Sequence, residues 1–290
     1  MRRACIDIGS NTTRLLVADC GAGELVAVHQ ERAFTHLRRG RLADGTITRH
    51  KLEEVTGVVA AQMETARELG AGHILGIATA AIRESSNGAE LAASIHEACG
   101  LEIEILTGDR EARLAFLGAV RTLDHVPDGE LGVVDVGGGS SEMVVGTPPD
   151  RVRWSASFGL GSGDLTDSRL HSDPPSEAEL AEARSEIDRA LRGLDVPHPA
   201  EAVAVGGSAA SLPRLAGPRL DAEAFAKALR LLAAEPARVI ARRFELDIER
   251  VRLLPAGLLI LQAAAERFAT PLRVGLGGVR EGLLLEASGA

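Results

Sequence analysis

Short apolar runs alternate with longer segments of helical periodicity along the whole chain. Runs typical of strands are, in chain order, Ala4–Ile8, Leu15–Ala18, Leu25–Val28, His73–Thr79, Glu102–Leu106, Gly132–Val136, Met143–Val145, Ala202–Val205 and Arg273–Leu276. Helical periodicity predicts helices at about His50–Leu69, Ala89–Cys99, Asp109–Leu123, Ser176–Leu194, Asp221–Ala234 and Pro255–Phe268. This alternation is typical of a layered α/β protein.

The opening of the chain is repeated in its second half. Asp7 lies inside an apolar strand and precedes the turn Gly9-Ser10-Asn11, and Asp135 precedes the turn Gly137-Gly138-Gly139 in the same way. Superposing the two Asp residues also matches hydroxyl-bearing residues, namely Thr12 and Thr13 with Ser140 and Ser141. We interpret the match as an internal structural duplication.

The length of 290 residues suits two domains, each large enough to bury its own core. The segment His125–Gly129 is the clearest break in the first half, because it combines Pro and Gly between two structured regions. We therefore predict an N-terminal lobe of residues 1–126 and a C-terminal lobe of residues 127–290, with a cleft between them.

Composition excludes several classes of function. Hydrophobic residues make up 45% of the chain and charged residues 25%, which is typical of a globular protein. A formal net charge of −9 and an aromatic content of 2% disfavour nucleic-acid binding. Apolar stretches such as Leu253–Ala265 are shorter than the roughly 20 residues that cross a bilayer, and no signal-type segment precedes the first strand. We expect a cytoplasmic protein that binds neither nucleic acid nor membrane.

The chain has three cysteines, Cys5, Cys20 and Cys99. Their odd number and their spacing support neither a disulfide framework nor a zinc site. We interpret them as small buried hydrophobic residues.

The glycine turns are the candidate anion-binding elements. Glycine at the tip of a strand-turn-strand unit lets the backbone approach a phosphate, and successive N–H groups then form an anion-binding concavity. One such turn is also typical of an ordinary hairpin, whereas two matching turns favour a grip on consecutive phosphates. A further turn, Gly206-Gly207-Ser208, follows a strand-like run. The candidate phosphate-binding residues are Gly9, Ser10, Asn11, Thr12, Gly137, Gly138, Gly139, Ser140, Ser141, Gly207 and Ser208.

The Asp residues embedded in apolar strands indicate a metal site. A lone buried carboxylate is costly, so Asp7 and Asp135 each need a cation or a hydrogen-bonded partner. Glu142 lies on the strand that leaves the second turn and can face the same ion. Mg²⁺ is typically held by one or two carboxylates together with water and phosphate oxygens. We predict Asp135, Glu142 and Asp7 as ligands of Mg²⁺ or another divalent cation, with Asp7 the least direct of the three.

Five segments together resemble the exopolyphosphatase / guanosine pentaphosphate phosphatase (Ppx/GppA) family. In this chain they are Ile6–Thr12, Ala78–Arg83, Gly108–Arg113, Asp135–Glu142 and Arg280–Gly282, in the family's order. The resemblance implies an α/β fold of two actin-like (ribonuclease H-like) lobes, as in the acetate and sugar kinase/actin superfamily, with the active site in the cleft between the lobes. The chain is similar to the short, two-domain members, and a homodimer is one assembly compatible with it.

The resemblance also implies roles for individual residues. Glu111 takes the position of the family's general base, and Asp135 and Glu142 take those of its metal- and phosphate-ordering carboxylates. By position alone, Glu111 is more typical of a carboxylate in the first turn of a helix, where the dipole stabilises it by about 0.3–1 kcal/mol. Arg83 matches a position near the bound phosphates, although its spacing alone is slightly more typical of a solvated Arg at a strand-to-helix loop.

Two residues depart from the family pattern. His36 and Asp164 stand where positive charge is common, and both changes favour short chains or a different phosphoanhydride. The surrounding basic cluster of His36, Arg38, Arg39 and Arg41 is compatible either with steering of a polyanion or with an ordinary solvated loop.

The motifs together predict a hydrolase. The resemblance implies release of terminal orthophosphate from inorganic polyphosphate by in-line attack of water, assisted by Mg²⁺. A guanosine pentaphosphate phosphatase would show the same motifs. The alternative of another class is an actin-like ATP-binding phosphotransferase or a non-catalytic phosphate sensor, in which Gly207 and Ser208 would hold a nucleotide.

Overall fold

The computed structural model describes residues 1–21 and 23–289, and their strands form two mixed sheets. The strands are β1 (Arg2–Ile8), β2 (Thr12–Gly21), β3 (Glu24–Phe34), β4 (His73–Ala78), β5 (Ile103–Ile105), β6 (Leu131–Val136), β7 (Ser141–Thr147), β8 (Arg151–Phe158), β9 (Glu201–Val205), β10 (Arg219–Leu220) and β11 (Leu272–Val274). A short 3-10 turn, Leu37–Gly40, follows β3.

Helices separate most of the strands that run parallel. They are α1 (Arg49–Glu68), α2 (Ala80–Arg83), α3 (Gly88–Cys99), α4 (Gly108–Arg121), α5 (Ser162–Arg169), α6 (Glu177–Ala190), α7 (Gly206–Ser211), α8 (Pro213–Ala216), α9 (Ala222–Ala234), α10 (Ala237–Phe244), α11 (Ile248–Phe268) and α12 (Val279–Glu286). Among the described residues, none of these helices combines the length and the apolar character needed to cross a bilayer.

The two sheets share one topology. Strand order is β3-β2-β1-β4-β5 in the first sheet and β8-β7-β6-β9-β11-β10 in the second. In each sheet an antiparallel meander of three strands is extended by strands parallel to the first, β4 and β5 in one and β9 and β11 in the other. The first turns also match, because Gly9 N–H donates to the Thr12 carbonyl and Gly137 N–H to the Ser140 carbonyl, both at 3.0 Å. The predicted internal duplication is confirmed.

The central strands of the first sheet are buried on both faces, whereas the edge strands β3 and β5 are partly exposed. Successive side chains of a strand point to opposite faces, so Cys5 and Ile6 on β1 belong to two separate cores, and both are fully buried. Ile6 packs with residues of α1 and α3, whereas Cys5 packs with Leu114 of α4 and Leu284 of α12. Cys5 and Cys20 are free and buried, as predicted, whereas the free Cys99 is only partly buried.

The second sheet is covered in the same way. On one face Val133 packs with Phe116 of α4, and on the other face Val134 packs in a large core with residues of α5, α6, α9 and α11. Two helices therefore connect the halves, because α4 packs on the second sheet as well as the first, and α12 returns from the second sheet to the first. The division at residues 126 and 127 remains a prediction.

Several elements were not predicted from the sequence. β8, α5, α10 and α12 are each eight residues long, so each offers few positions in which a period can be recognised. The predicted start of a helix at Pro255 was wrong, since α11 begins at Ile248 and the buried Pro255 lies inside it. The strand predicted to reach Leu276 ends at Val274, and Leu276 is 83% exposed.

Candidate active site

A cleft of about 550 Å³ lies where β1 and β6 end, and both glycine turns line it. Most of the residues predicted for the site also line this cleft, namely Asp7, Gly9, Ser10, Asn11, Thr12, Glu111, Asp135, Gly137, Gly138, Gly139, Ser140, Glu142 and Gly207. Residues far apart in the sequence meet here because the duplicated sheets present their first turns to each other.

The two turns are in direct contact. A methyl group on Gly138 would lie 2.9 Å from Asn11 Nδ2, and one on Gly139 would lie 3.0 Å from Ser10 Cβ. Asn11 also fills the space beside Gly163 at the start of α5, where a methyl group would lie 2.8 Å from its Cγ. The absence of a side chain at Gly138, Gly139 and Gly163 thus lets the Asn11 and Ser10 side chains pack directly against the backbone.

Asp7 and Asp135 occupy equivalent buried positions. Asp7 on β1 is the direct cross-strand partner of Arg14 on β2, and Asp135 on β6 is the direct partner of Glu142 on β7. Burial raises the pKa of Asp7, against the opposing effect of Arg14. Burial, with a further contribution from Asp7, raises the pKa of Asp135 to about 6 against the opposing effect of Arg14. In strand register, the duplication thus sets one Asp opposite a cation and the other opposite a second acid, while Asp7 and Arg14 make no direct ion pair.

Glu111 and Glu142 complete the acidic part of the cleft. Glu111 is buried in the first turn of α4, whose N-terminus is capped by Thr107 Oγ1 accepting from the N–H of Arg110 at 3.2 Å. Burial and the nearby Asp135 raise the pKa of Glu111 to about 8. Burial, then Glu111 and Asp135, raise the pKa of Glu142 well above its ordinary value, although Ser157 Oγ donates to Glu142 Oε1 at 2.8 Å.

The carboxylates of Asp7, Asp135 and Glu142 in the cleft are the predicted ligands of a divalent cation. Asp7 Oδ1 is buried and has no hydrogen-bond partner among the described residues, so it is free to accept from bound water or to meet a cation. The donors available, Asp7, Asp135 and Glu142, are hard carboxylate oxygens. Among the described residues, no group of three acidic, His or Cys side chains that could hold a metal ion is found. Asp7, Asp135 and Glu142 therefore remain predicted ligands, and their carboxylate oxygens are donors of the kind that Mg²⁺ prefers.

Two arginines that the sequence reasoning missed lie in the same cleft. Arg14 Nε donates to Thr12 Oγ1 at 3.2 Å, and Arg250 of α11 is 6% exposed with its Nε lacking a hydrogen-bond partner. Within the described residues neither guanidinium forms an ion pair, and burial with Arg14 and Arg32 nearby lowers the pKa of Arg250 to about 9. Asp7 and Asp135 lie near Arg14 without contacting it directly. Buried guanidinium groups that make no direct contact with a carboxylate favour an anion-binding site.

Of these two arginines, only Arg14 could have been predicted from the sequence. Arg14 follows Asp7 by the same seven positions that separate Glu142 from Asp135, so the internal duplication pointed to it. Arg250 lies far along the chain, and only packing brings its guanidinium within 2.6 Å of where a methyl group on Gly207 would stand. A side chain at Gly207 would have to displace the Arg250 guanidinium.

The segment before α12 forms another side of the cleft. Glu281 is buried and its Oε2 accepts from the N–H of Gly278 at 2.8 Å, which caps the helix. Arg280 Nη2 lies 3.6 Å from Glu281 Oε1, and both residues line the cleft. These residues belonged to a recognised motif, but the sequence reasoning assigned them no role.

Three predicted site residues do not line the cleft. Arg83 Nη1 donates to the Leu106 carbonyl at 2.6 Å and lies 3.3 Å from Glu111 Oε2, so it contacts the candidate base rather than open space. Ser141 Oγ donates to the Leu160 carbonyl at 2.8 Å. Ser208 is fully buried beside Gly257. Roles for Arg83, Ser141 and Ser208 in binding phosphate remain predictions.

The basic cluster after β3 is neutralised. Arg38 contacts both Glu84 and Asp164, and Arg39 Nη2 lies 2.8 Å from Asp167 Oδ1. His36 stacks on Phe34, with ring centroids 5.8 Å apart, and burial together with Arg39 lowers its pKa. Of the two interpretations of this cluster, steering of a polyanion is the less supported, because its arginines already have acidic partners.

Comparison with known proteins adds to this geometry. A sequence profile of the Ppx/GppA phosphatase family matches residues 16–289. The chain belongs to the Ppx/GppA phosphatase family. Exopolyphosphatase 1 of Mycobacterium tuberculosis is 30% identical over 303 aligned residues, which cover 98% of this chain and 88% of that protein. Exopolyphosphatase 2 of the same organism is 33% identical over 235 residues, covering 74% and 70%.

Solved structures agree with the family assignment. The Ppx/GppA family member of Aquifex aeolicus superposes with a TM-score of 0.83 at 28% identity, covering 99% of this chain and 97% of that one. An exopolyphosphatase from Cytophaga hutchinsonii has a TM-score of 0.87 at 22% identity, covering 99% and 98%, and supports the fold. The predicted actin-like, two-lobed α/β fold is confirmed, and family membership makes the chain a phosphoanhydride hydrolase.

Proposed function

We propose that the chain is an exopolyphosphatase-type enzyme that releases terminal orthophosphate from inorganic polyphosphate. The observation that carries the proposal is the position of Glu111, a buried carboxylate that lines the same cleft as both glycine turns and the unpaired Arg14 and Arg250. One cleft then offers a base, N–H donors for a terminal phosphate and cations for the phosphates that follow. The two relatives named exopolyphosphatase support the choice of substrate.

In this proposal Glu111 acts on water. An ionised Glu111 accepts a proton from a water molecule whose oxygen attacks the terminal phosphorus in line with the bridging oxygen. The bond from phosphorus to the bridging oxygen breaks, and the products are orthophosphate and a chain shorter by one phosphate. Arg83, 3.3 Å from Glu111 Oε2, favours the ionised form and orients the carboxylate.

The remaining residues bind and neutralise the phosphates. Backbone N–H groups of Gly138 and Gly139 are placed to stabilise negative charge on the terminal phosphate, since these glycines line the cleft without side chains of their own. Arg14 and Arg250 bind the next phosphates. Divalent-cation dependence is general in this family, and Asp135 and Glu142, with Asp7 beside them, would hold a cation that offsets phosphate charge.

The test is orthophosphate release with Mg²⁺ from tripolyphosphate, long-chain polyphosphate, guanosine pentaphosphate and ATP. Glu111→Gln should lower kcat by about 100-fold or more while changing substrate affinity little, because a general base contributes about 10²–10⁴ in rate. The matched control is Asp109→Asn in the same helical turn, where the acid is exposed and does not line the cleft. Near-normal turnover by Glu111→Gln would refute the proposed base.

A guanosine pentaphosphate phosphatase is the second candidate, and one observation favours it. Leu276 is 83% exposed and lines the cleft, so it offers an apolar surface that a nucleobase can cover and that polyphosphate does not need. Faster release from guanosine pentaphosphate than from tripolyphosphate, lost in Leu276→Ser, would select this function.

A further inference from the structure

A row of charged residues crosses the first sheet and lines the cleft. Asp7 on β1 stands directly opposite Arg14 on β2, and Arg14 stands directly opposite Arg32 on β3. Directly opposed residues of neighbouring strands share one face of the sheet, and such strands lie about 4.8 Å apart. All three residues line the cleft. The row therefore leads in order from the predicted metal ligands, past the first arginine, to a second arginine.

The row also leads from the interior of the cleft to its surface. Asp7 and Arg14 are partly buried, whereas the side chain of Arg32 is 36% exposed. Arg32 lies on β3, which is the edge strand of its sheet. A linear anion that continues in the direction from Asp7 to Arg14 thus meets Arg32 next, where the cleft opens.

Like charges face one another at the outer end of the row. Side chains that are directly opposed across two strands lie about 4.5–5.5 Å apart at Cβ, so an Arg14–Arg32 pair is destabilising by itself. Arg250 of α11 is near both, since after burial the charges that lower its pKa are those of Arg14 and Arg32. Three cations from two strands and a helix face one cleft, and phosphate groups among them would offset their mutual repulsion.

The acids nearest Arg32 leave its guanidinium available. Asp247 Oδ2 lies 3.7 Å from Arg32 Nη2, and the side chain of Asp247 is 40% exposed. An exposed pair at this separation contributes little. Glu31 also lines the cleft, and its Oε2 lies 3.7 Å from Nε2 of His29. Arg32 is oriented instead by Phe34, because its Cζ lies 4.8 Å from the ring centroid, and this contact does not neutralise the cation.

We propose that Arg32 is a specificity-determining residue that forms a distal phosphate subsite, so that the cleft binds polyphosphate more tightly once the chain extends past Arg14 and Arg250. The inference rests on the proposed function, in which the terminal phosphate binds at the glycine turns and the following phosphates bind at Arg14 and Arg250. Pyrophosphate has no phosphate left for Arg32 once it occupies the turns and Arg14. A long chain does.

The experiment compares these two ligands without turnover. In a Glu111→Gln background, dissociation constants for pyrophosphate and for long-chain polyphosphate, per chain end, are measured by calorimetry with Mg²⁺ at fixed salt. Arg32→Gln should raise the dissociation constant for the long chain about tenfold, the effect of one lost charge-assisted contact, and that for pyrophosphate by less than about twofold. With Glu111 intact, Arg32→Gln should raise KM for the long chain and leave kcat within about twofold, because no contact with the reacting phosphate is lost.

A second variant should act in the opposite direction. Asp247→Asn removes the acid nearest Arg32 and keeps a side-chain oxygen for the N-cap of α11, where Asp247 Oδ1 accepts from the N–H of Glu249 at 2.8 Å. It should lower the dissociation constant for the long chain by about two- to threefold. Adding Arg32→Gln should cancel this gain, whereas a gain that persists without Arg32 would count against the subsite.

The matched control is Arg39→Gln, which removes the same charge from an exposed arginine that pairs with Asp167 and does not line the cleft. It should leave the ratio of the two dissociation constants within about twofold of its starting value. An Arg32→Gln variant that weakens both ligands equally, or neither, overturns the inference even if the wild type hydrolyses polyphosphate. So does an equal change of the ratio by Arg39→Gln.

Failure of the proposed function would look different. Absence of orthophosphate release by the wild type, with the length-dependent effect of Arg32→Gln on binding present, speaks against the proposed hydrolysis and leaves the distal phosphate subsite supported.

Discussion

Substituting Gly282 tests how the two connecting helices hold the halves together. α12 crosses α4 so closely that a methyl group on Gly282 would overlap the Leu114 carbonyl oxygen and lie 2.8 Å from its carbonyl carbon and 3.1 Å from Gly118 N. These are backbone atoms, so no change of side-chain rotamer relieves the contact. We predict that Gly282→Ala lowers the free energy of unfolding, although alanine is the better helix former.

The magnitude follows from the contact. Ordinary carbon contacts are about 3.5–4.0 Å, so the helices must separate by about 1 Å, which forfeits about a quarter to a half of each dispersion contact. α12 buries Val279, Leu283 and Leu284 in this interface, together worth about 6 kcal/mol of burial. The loss is then about 1.5–3 kcal/mol, and the gain in helix propensity returns about 1 kcal/mol. Gly282→Ala should be destabilised by about 0.5–2 kcal/mol.

The assay is urea and thermal unfolding followed by circular dichroism, with Gly57→Ala as the matched control. Gly57 lies in the middle of α1, and nothing stands within 4 Å of a methyl group placed there. Gly57→Ala should therefore stabilise the protein by up to about 1 kcal/mol. Gly282→Ala should instead lower the melting temperature by several degrees, at about 2–4 °C per kcal/mol of destabilisation. A Gly282→Ala protein as stable as the wild type would refute the reasoning.

The charged groups give two further predictions. Arg250→Met should raise the melting temperature of the free protein, because an apolar side chain replaces a buried cation without an acidic partner. The variant should also lose most of the stabilisation that tripolyphosphate gives the wild type. A lower melting temperature in the free variant would contradict this prediction. Arg110 lowers the pKa of Glu286 in the folded protein. The ion pair therefore contributes its full stabilisation at pH values above the ordinary pKa of 4.5, and this contribution is lost as the pH falls through the lowered pKa. Glu286→Gln should therefore be less stable than wild type in urea at pH 7 and equal to it at low pH, whereas an equal difference at both pH values would exclude the linkage.

Local patterns predicted the elements that carry the candidate base and the turns. Apolar runs ending at Gly9 and Gly137 predicted β1 and β6 because strand, turn and embedded Asp lie within ten residues of one another. Helical periodicity predicted α4 and so placed Glu111 in its first turn. The short α5 and α12 escaped prediction because their amphipathic pattern is weak, and each is positioned by contacts with distant residues.

The sequence by itself determined the duplicated strand-turn-strand units, the Asp inside each and the family, because these depend on neighbouring residues. Only the tertiary structure decided which charges face the cleft. Arg250 and Arg14 meet there without an acidic partner, whereas Arg38, equally cationic in the sequence, is neutralised by Asp164 from the other half of the chain. The physical reason is that a side chain's charge acts through its distance to other charges and its burial, and both are set by packing between segments more than a hundred residues apart.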